Sequence, residues 1–312
     1  MALYVNTNVT SLRAQSALTN DTNKLDTTYQ RLSTGLRINS AKDDAAGLQI
    51  CDRLTAQING LDQGNRNAND GIALAQVMDG ALDETTSMLQ RIRTLAIQSA
   101  NGTNTSIDRA SIQREVKQLS EEITRIACKT TYAGQNILAG AGKGMLDSAG
   151  IVRFQVGAYA YDSLEVSLST GMTLSGIYAM ALADGFKDGT IKNNMGFTND
   201  KVGLVRTKDG FYFDVSSYSS AQSCIQAVDA MLNMVDTKRA DLGAIQNRME
   251  STIRNQSNVS AYVSDARSRI RDTDYAAEAS NMASQSIIQQ AASSILTQAN
   301  QKPSIAMSLL QG

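Results

Sequence analysis

Apolar residues recur at spacings of three, four and seven along both ends of the chain. In the N-terminal part these residues are Leu18, Leu25 and Leu32, then Met78, Leu82, Thr85, Leu89, Ile92 and Ala96, then Ile112, Val116, Leu119, Ile123 and Ile126. In the C-terminal part they are Val228, Leu232, Val235, Leu242, Ile245, Met249 and Ile253. This spacing places apolar side chains along one face of a helix, as in coiled-coil seams. The pattern therefore predicts long helices at both chain ends.

The longest predicted helix runs from about residue 44 to 99. At a rise of 1.5 Å per residue it would be about 84 Å long, which exceeds the width of a small domain. Asn101-Gly102-Thr103-Asn104 follows it, and Gly102 supplies a helix stop. Asn104, Thr105 or Ser106 can cap the next helix. Because so short a connection reverses the chain, we expect these two helices to lie antiparallel.

The middle of the chain has a different pattern. Val152, Phe154 and Val156 alternate with polar residues, as do Leu164, Val166 and Leu168. Such alternation predicts two half-buried strands, joined through residues 157–162 as a hairpin with a loop longer than two residues. Residues 178–218 show a weaker pattern, in which Phe211-Tyr212-Phe213 is a candidate short strand.

The predicted fold is therefore mainly α, a long coiled-coil-like helical rod formed by both chain ends, with a small β-hairpin-containing middle and a short variable appendage. The corresponding domain prediction has five parts. They are residues 1–43 and 268–312 as the halves of an inner coiled-coil domain, 44–178 and 218–267 as a rod domain, and 179–217 as a variable surface region.

Composition narrows the possible chemistry. The chain of 312 residues has no histidine, no tryptophan and a single proline, Pro303. Without histidine there is no Ser-His-Asp triad, no Cys-His dyad and no imidazole metal site. The three cysteines, Cys51, Cys128 and Cys224, are too few and too widely spaced for a disulfide framework or a zinc motif, so we expect three reduced, packed side chains.

Charge and hydropathy exclude further classes of partner. The net charge is −1, so there is no basic excess for binding nucleic acid. No window of about 18 apolar residues could span a membrane, and the first eight residues do not resemble a cleavable secretory signal.

Three local features could be mistaken for a binding or catalytic site. The run 139–144 lacks the first glycine and the final hydroxyl of a phosphate-binding loop, so we interpret it as a turn. The adjacent pairs Asp43-Asp44 and Glu121-Glu122 point in different directions if helical, which favours a solvated face. We therefore expect no catalytic, cofactor or metal site, and no enzyme activity.

Both chain termini are poor in large apolar residues. The first 40 residues are rich in Thr, Asn and Ser, and residues 270–299 are rich in alanine. Alanine buries little area compared with leucine, so these segments contribute little stability alone. We expect both ends to require partners in order to fold.

Several motifs in fixed order resemble those of one family. They are residues 6–12, 32–48, 90–93, 95–103, 240–249, 272–278 and the end segment with Ala299-Asn300-Gln301, Pro303 and Ser308-Leu309-Leu310. Together these segments resemble bacterial flagellin over residues 1–178 and 218–312. The resemblance implies a structural subunit that polymerises into the extracellular filament used for swimming. It also implies that both ends order on assembly, with Leu18, Leu25, Leu32, Ile287 and Ile295 packing in the filament core.

The resemblance also implies partners. These are other copies of the chain, an export chaperone that covers the C-terminal helix, filament cap and hook-junction proteins, and secretion through the flagellum's own type III system. Host recognition by a Toll-like receptor would map onto Arg91, Leu95, Gln98 and Glu115. Recognition by cytosolic inflammasome sensors would map onto Leu309 and Leu310. From the residues alone, the favoured interpretation is that Leu95 is a rod-core residue and that the charged side chains form a solvated face.

Two other functions share some of these features. A hook–filament junction protein of the same superfamily would also have paired terminal helices, although the number of matching motifs favours flagellin. A cysteine-dependent enzyme with helical arms conflicts with the absence of histidine.

Overall fold

The computed structural model describes residues 7–185, 204–207 and 210–310. The helices are α1 (Val9–Thr34), α2 (Ala45–Ser99), α3 (Ser106–Lys129), α4 (Leu174–Gly185), α5 (Tyr218–Arg271) and α6 (Tyr275–Leu310). The strands are β1 (Thr131–Tyr132), β2 (Gln135–Asn136), β3 (Ile151–Gln155), β4 (Ser163–Ser167), β5 (Leu204–Thr207) and β6 (Gly210–Phe213). Among the described residues the strands form three antiparallel two-stranded sheets, β1–β2, β3–β4 and β5–β6. The predicted mainly helical fold is confirmed.

The chain divides into two compact units, residues 1–59 with 259–312, and residues 60–258. The first, the terminal unit, pairs the two ends of the chain. The second, the central unit, holds the three sheets and most of the apolar core. The boundaries of the five predicted domains stay predictions.

The core of the central unit follows the predicted helical faces. All six residues of the run from Met78 to Ala96 are buried. On α3 the buried face is Ile112, Val116, Ser120, Ile123 and Ala127, whereas Leu119 and Ile126 are only partly covered. The buried line shifts by one residue because a straight helix turns once in 3.6 residues and drifts away from a strict 3.5-residue repeat.

The turn between α2 and α3 uses one of the three predicted caps. The hydroxyl of Thr105 accepts from the N–H of Asp108 at 3.3 Å, and the Asp108 carboxylate accepts from the N–H of Thr105 at 2.9 Å. This reciprocal pair satisfies amide donors at the helix start that would otherwise lack partners. The hydrogen bonds from Thr105 also hold the pKa of Asp108 below its usual value.

The predicted hairpin is present as β3 and β4. Val152 pairs with Val166 and Phe154 with Leu164, while on the opposite face Arg153 Nε donates to Glu165 Oε1 at 2.8 Å. The loop passes so close to α2 that a Cβ at Gly64 would overlap the carbonyl oxygen of Val156. The same oxygen accepts from Gln256 Nε2 of α5 at 2.6 Å. The hairpin is therefore fastened to both long helices of the central unit.

The structure corrects the expectation that all three cysteines are packed. All are free thiols, and Cys51 and Cys224 are buried, but Cys128 is exposed. Its neighbour Ala127 occupies the buried face of α3, so Cys128 lies about 100° further round the helix, toward solvent. Burial, followed by the nearby Asp214 charge, raises the pKa of Cys224 to about 12, so this thiol stays protonated.

Candidate assembly surface

The terminal unit is built on an antiparallel pair of helices, α1 and α6. Asn8 caps α1 by accepting from the N–H of Ser11 at 3.1 Å, and Gly35 ends the helix with φ of 72°. Asp274 caps α6 by accepting from the N–H groups of Ala276 and Ala277 at 2.9 and 3.2 Å. These local signals set the lengths of both helices.

The ends of the pair are joined by backbone hydrogen bonds where both helices break. The N–H of Thr273 donates to the carbonyl of Gly35 at 2.9 Å, and the N–H of Arg37 donates to the carbonyl of Arg271 at 2.6 Å. Asp43 lies in the same break, where backbone N–H groups of Ser40 and Asn39 lower its pKa. Thus Asp43-Asp44 belongs to a turn before α2, and the pair does not form part of a helical face.

The side chains between α1 and α6 are mostly polar. Ser11 Oγ donates to Asn300 Oδ1 at 2.6 Å, and Thr28 Oγ1 donates to Gln285 Oε1 at 3.1 Å. Thr28 is only 3% exposed. Leu25 is the large aliphatic residue that this interface buries, among the residues the structure describes; Leu18 and Leu32 are partly covered.

Two more polar pairs continue the series. Gln289 Nε2 donates to Thr22 Oγ1 at 3.4 Å, and Arg31 forms an ion pair with Glu278 at 3.7 Å. We call the four pairs the polar seam: Ser11–Asn300, Thr22–Gln289, Thr28–Gln285 and Arg31–Glu278. Sequence reasoning missed this seam, although Ser11 lies seven residues before Leu18 and therefore continues the heptad spacing of Leu18, Leu25 and Leu32.

The parts of the same helices that lie outside their interface carry exposed apolar side chains. Ile287 is 67% exposed and Ile295 is 57% exposed. Val9, Leu12, Tyr29, Tyr275 and Ile288 are also largely uncovered. We call these seven residues the apolar outer face. A soluble helix pair ordinarily buries its apolar face and exposes its polar one, so this arrangement leaves hydrophobic surface for another chain.

The remaining predicted site residues lie elsewhere. In the central unit, Arg91 Nη2 pairs with Glu115 Oε1 at 2.7 Å, and both side chains are exposed. Gln98 is exposed about two helical turns after Arg91, whereas Leu95 is 3% exposed and belongs to the core. Leu309 and Leu310 fall at the end of α6, and their side chains lie outside the described residues.

The described part of the chain offers little for other chemistry. It contains no group of three or more Cys, Asp or Glu side chains that could hold a metal ion. Within the same residues, no helix is long and apolar enough to cross a bilayer. The fold therefore defines a mainly helical protein in which the two ends of the chain pair and leave apolar side chains exposed.

Comparison with known proteins identifies the family. The bacterial flagellin N-terminal helical region matches residues 5–143, and the bacterial flagellin C-terminal helical region matches residues 225–310. The chain is 37% identical to Flagellin B of Vibrio anguillarum and 36% identical to Flagellin A of Vibrio cholerae, and these alignments cover 99% and 100% of this chain and 100% of each relative. The chain belongs to the bacterial flagellin family.

A solved structure shares the fold at lower identity. A flagellar hook-associated protein from Vibrio parahaemolyticus matches with a TM-score of 0.53 and 13% identity, covering 74% of this chain and all of that one. At this identity the likeness shows the fold alone, so it does not favour the junction-protein alternative.

Proposed function

We propose that this chain is the structural subunit of a flagellar filament and that copies associate through the apolar outer face of α1 and α6. Flagellins are structural proteins, and this chain shares that family along its full length. The observation that carries the proposal is the exposure of Ile287 and Ile295 beside a polar seam. No catalytic step is part of the proposal.

The energetics support association. Ordering the backbone of one residue costs roughly 1–2 kcal/mol, whereas burying one large aliphatic side chain contributes about 1.5–3 kcal/mol. Within the described residues, the α1–α6 interface buries one large aliphatic side chain, Leu25. Covering the apolar outer face by neighbouring copies supplies hydrophobic burial that the isolated pair lacks. The terminal helices are therefore expected to be marginal in the dispersed chain and stable in the polymer.

Family membership supports further partners and a location for this chain. The assembled filament lies outside the cell, as part of the bacterial flagellum. Export through the flagellar type III system would deliver the chain there, and a chaperone covering α6 would shield its apolar residues before export. Cap and hook-junction proteins would meet the two ends of the filament.

Seeded growth tests this proposal. Sheared filaments of the same chain supply free ends, and the purified chain, dispersed by brief heating, is added to them. Electron microscopy should show that the fragments lengthen. The subunits at each filament end present a surface that can cover the apolar outer face of an added chain. A chain that stays dispersed in the presence of seeds would count against a filament subunit.

A second proposal concerns host recognition by a Toll-like receptor. Arg91, Gln98 and Glu115 are exposed on α2 and α3, and Arg91 and Glu115 form one charged pair. Leu95 lies beneath them in the core, so its part would be to support this surface from below.

Receptor signalling should fall at least tenfold in a reporter-cell assay when Arg91→Ala and Glu115→Ala are combined in the dispersed chain. Arg125→Ala with Glu122→Ala is the matched control, since it removes another exposed ion pair of the central unit, joined at 2.6 Å. Leu95→Ala is unsuitable because truncating a buried leucine costs about 2–5 kcal/mol. Equal signalling by the two double variants would contradict the assignment.

A further inference from the structure

Each end of the chain contributes one side of the polar seam. In all four pairs a side chain of α1 meets one of α6. The partners are far apart in the sequence, from 247 positions for Arg31–Glu278 to 289 positions for Ser11–Asn300. Thr28 is 3% exposed, and Ser11 and Glu278 are each 8% exposed, so three of these pairs include a buried polar group. A buried polar group left without a partner costs about 1–3 kcal/mol. The pairing at each level therefore matters energetically.

We infer that the polar seam sets the axial register of α1 against α6. It thereby fixes how the isoleucines of α6 and the apolar residues of α1 are aligned for a neighbouring copy. This inference rests on the proposed function, because the alignment matters only if copies meet on the apolar outer face.

Backbone hydrogen bonds at the break, Thr273 to Gly35 and Arg37 to Arg271, hold one end of the helix pair, but apolar packing along its length would select the register weakly. Helix α6 is rich in small residues. If α6 moves along α1 by seven positions, Ala283 takes the place of Ala276, so one alanine replaces another. Leu25 is the large aliphatic side chain that the described interface buries. Because alanine buries little area, neighbouring registers differ little in hydrophobic burial.

The polar seam distinguishes these registers clearly. A slip of one heptad in one direction leaves Arg31 beyond the start of α6 at Tyr275, so Arg31 loses Glu278 as its partner. A slip in the other direction places Thr28 opposite Ala292 and leaves its buried hydroxyl without Gln285. Polar residues at core positions fix register in coiled coils in the same way, at a cost in stability.

Spin-label distances on the full chain test the inference. Labels are attached at Ser16→Cys and Ser280→Cys, which are exposed positions, after Cys128→Ser removes the exposed native thiol. Concentrated sucrose favours the paired state, so the measurement is made on dispersed chains and does not depend on polymerisation. The parent should give one distance. Thr28→Val with Gln285→Leu should add a second population displaced by about 10 Å, the length of seven helical residues.

Two further variants make the result specific. Thr19→Val with Gln290→Leu makes the same chemical change at exposed positions and should keep the single parental distance. Thr28→Gln with Gln285→Thr exchanges the partners and should restore one distance. A single parental distance in Thr28→Val with Gln285→Leu would overturn the inference.

If the Thr28→Val, Gln285→Leu helices do not pair at all, the exchanged variant decides. If that variant gives the single parental distance, the result supports the inference that matched polar pairs set the register. Any other distance distribution overturns the inference. Failure of the parent chain to extend seeds would instead overturn the proposed function, and the two failures are measured separately.

Discussion

Replacing two exposed isoleucines of α6 should nearly abolish filament growth without unfolding the chain. Ile287→Ser and Ile295→Ser remove side chains that are 67% and 57% exposed, so the dispersed chain loses little packing. In the polymer each isoleucine would lose its remaining exposed area, for about 1–2 kcal/mol. Because about 1.4 kcal/mol corresponds to a factor of ten, the critical concentration for seeded growth should rise at least about twentyfold.

The matched control uses two exposed isoleucines of the central unit. Ile97 is 49% exposed and Ile107 is 76% exposed, so Ile97→Ser with Ile107→Ser makes the same chemical change away from the terminal helices. Critical concentrations are measured by sedimentation after growth on sheared filaments. Equal critical concentrations for the two double variants would show that the apolar outer face is not the assembly surface.

A pair of glycine substitutions in α2 should change stability in opposite directions. Alanine is favoured over glycine inside helices by about 1 kcal/mol, and a Cβ at Gly80 meets nothing within 4 Å. Gly80→Ala should therefore stabilise the central unit slightly. At Gly64 the added Cβ would overlap the carbonyl of Val156, where the hairpin loop crosses α2.

Gly64→Ala should destabilise the central unit by about 1–3 kcal/mol, the usual cost of overpacking. The hairpin must move away from α2, and the 2.6 Å hydrogen bond from Gln256 to Val156 is then weakened. Urea denaturation followed by circular dichroism gives the free energies of unfolding of both variants. Equal free energies of unfolding for the Gly64→Ala and Gly80→Ala proteins would show that the hairpin loop does not pack against Gly64.

The long helices could be predicted from sequence because apolar spacing reports directly on burial. Met78, Leu82 and Leu89 lie on one predicted face, and all three are buried. α4 could not be predicted in this way, since its twelve residues are almost continuously apolar and show no helical period. The two-residue strands β1 and β2 are too short to form a pattern.

The polar seam was harder to predict than the apolar core. Ser, Thr and Gln on a helix ordinarily face solvent, and their pairing depends on where the second helix lies. Thr28 meets Gln285 only because residues at opposite ends of the chain come together. The exposure of Cys128 was also hard to predict, because Cys128 is only one position along α3 from the buried Ala127.

Amide hydrogen exchange during seeded growth tests the central claim most directly. Purified chain is exchanged before and after it extends sheared filaments, and protection is compared between helices. We expect α1 and α6 to exchange rapidly in the dispersed chain and to become protected at least a hundredfold in the filament, while α2 and α3 change little. Extension of the filaments with α1 and α6 still exchanging as in the dispersed chain would contradict that claim.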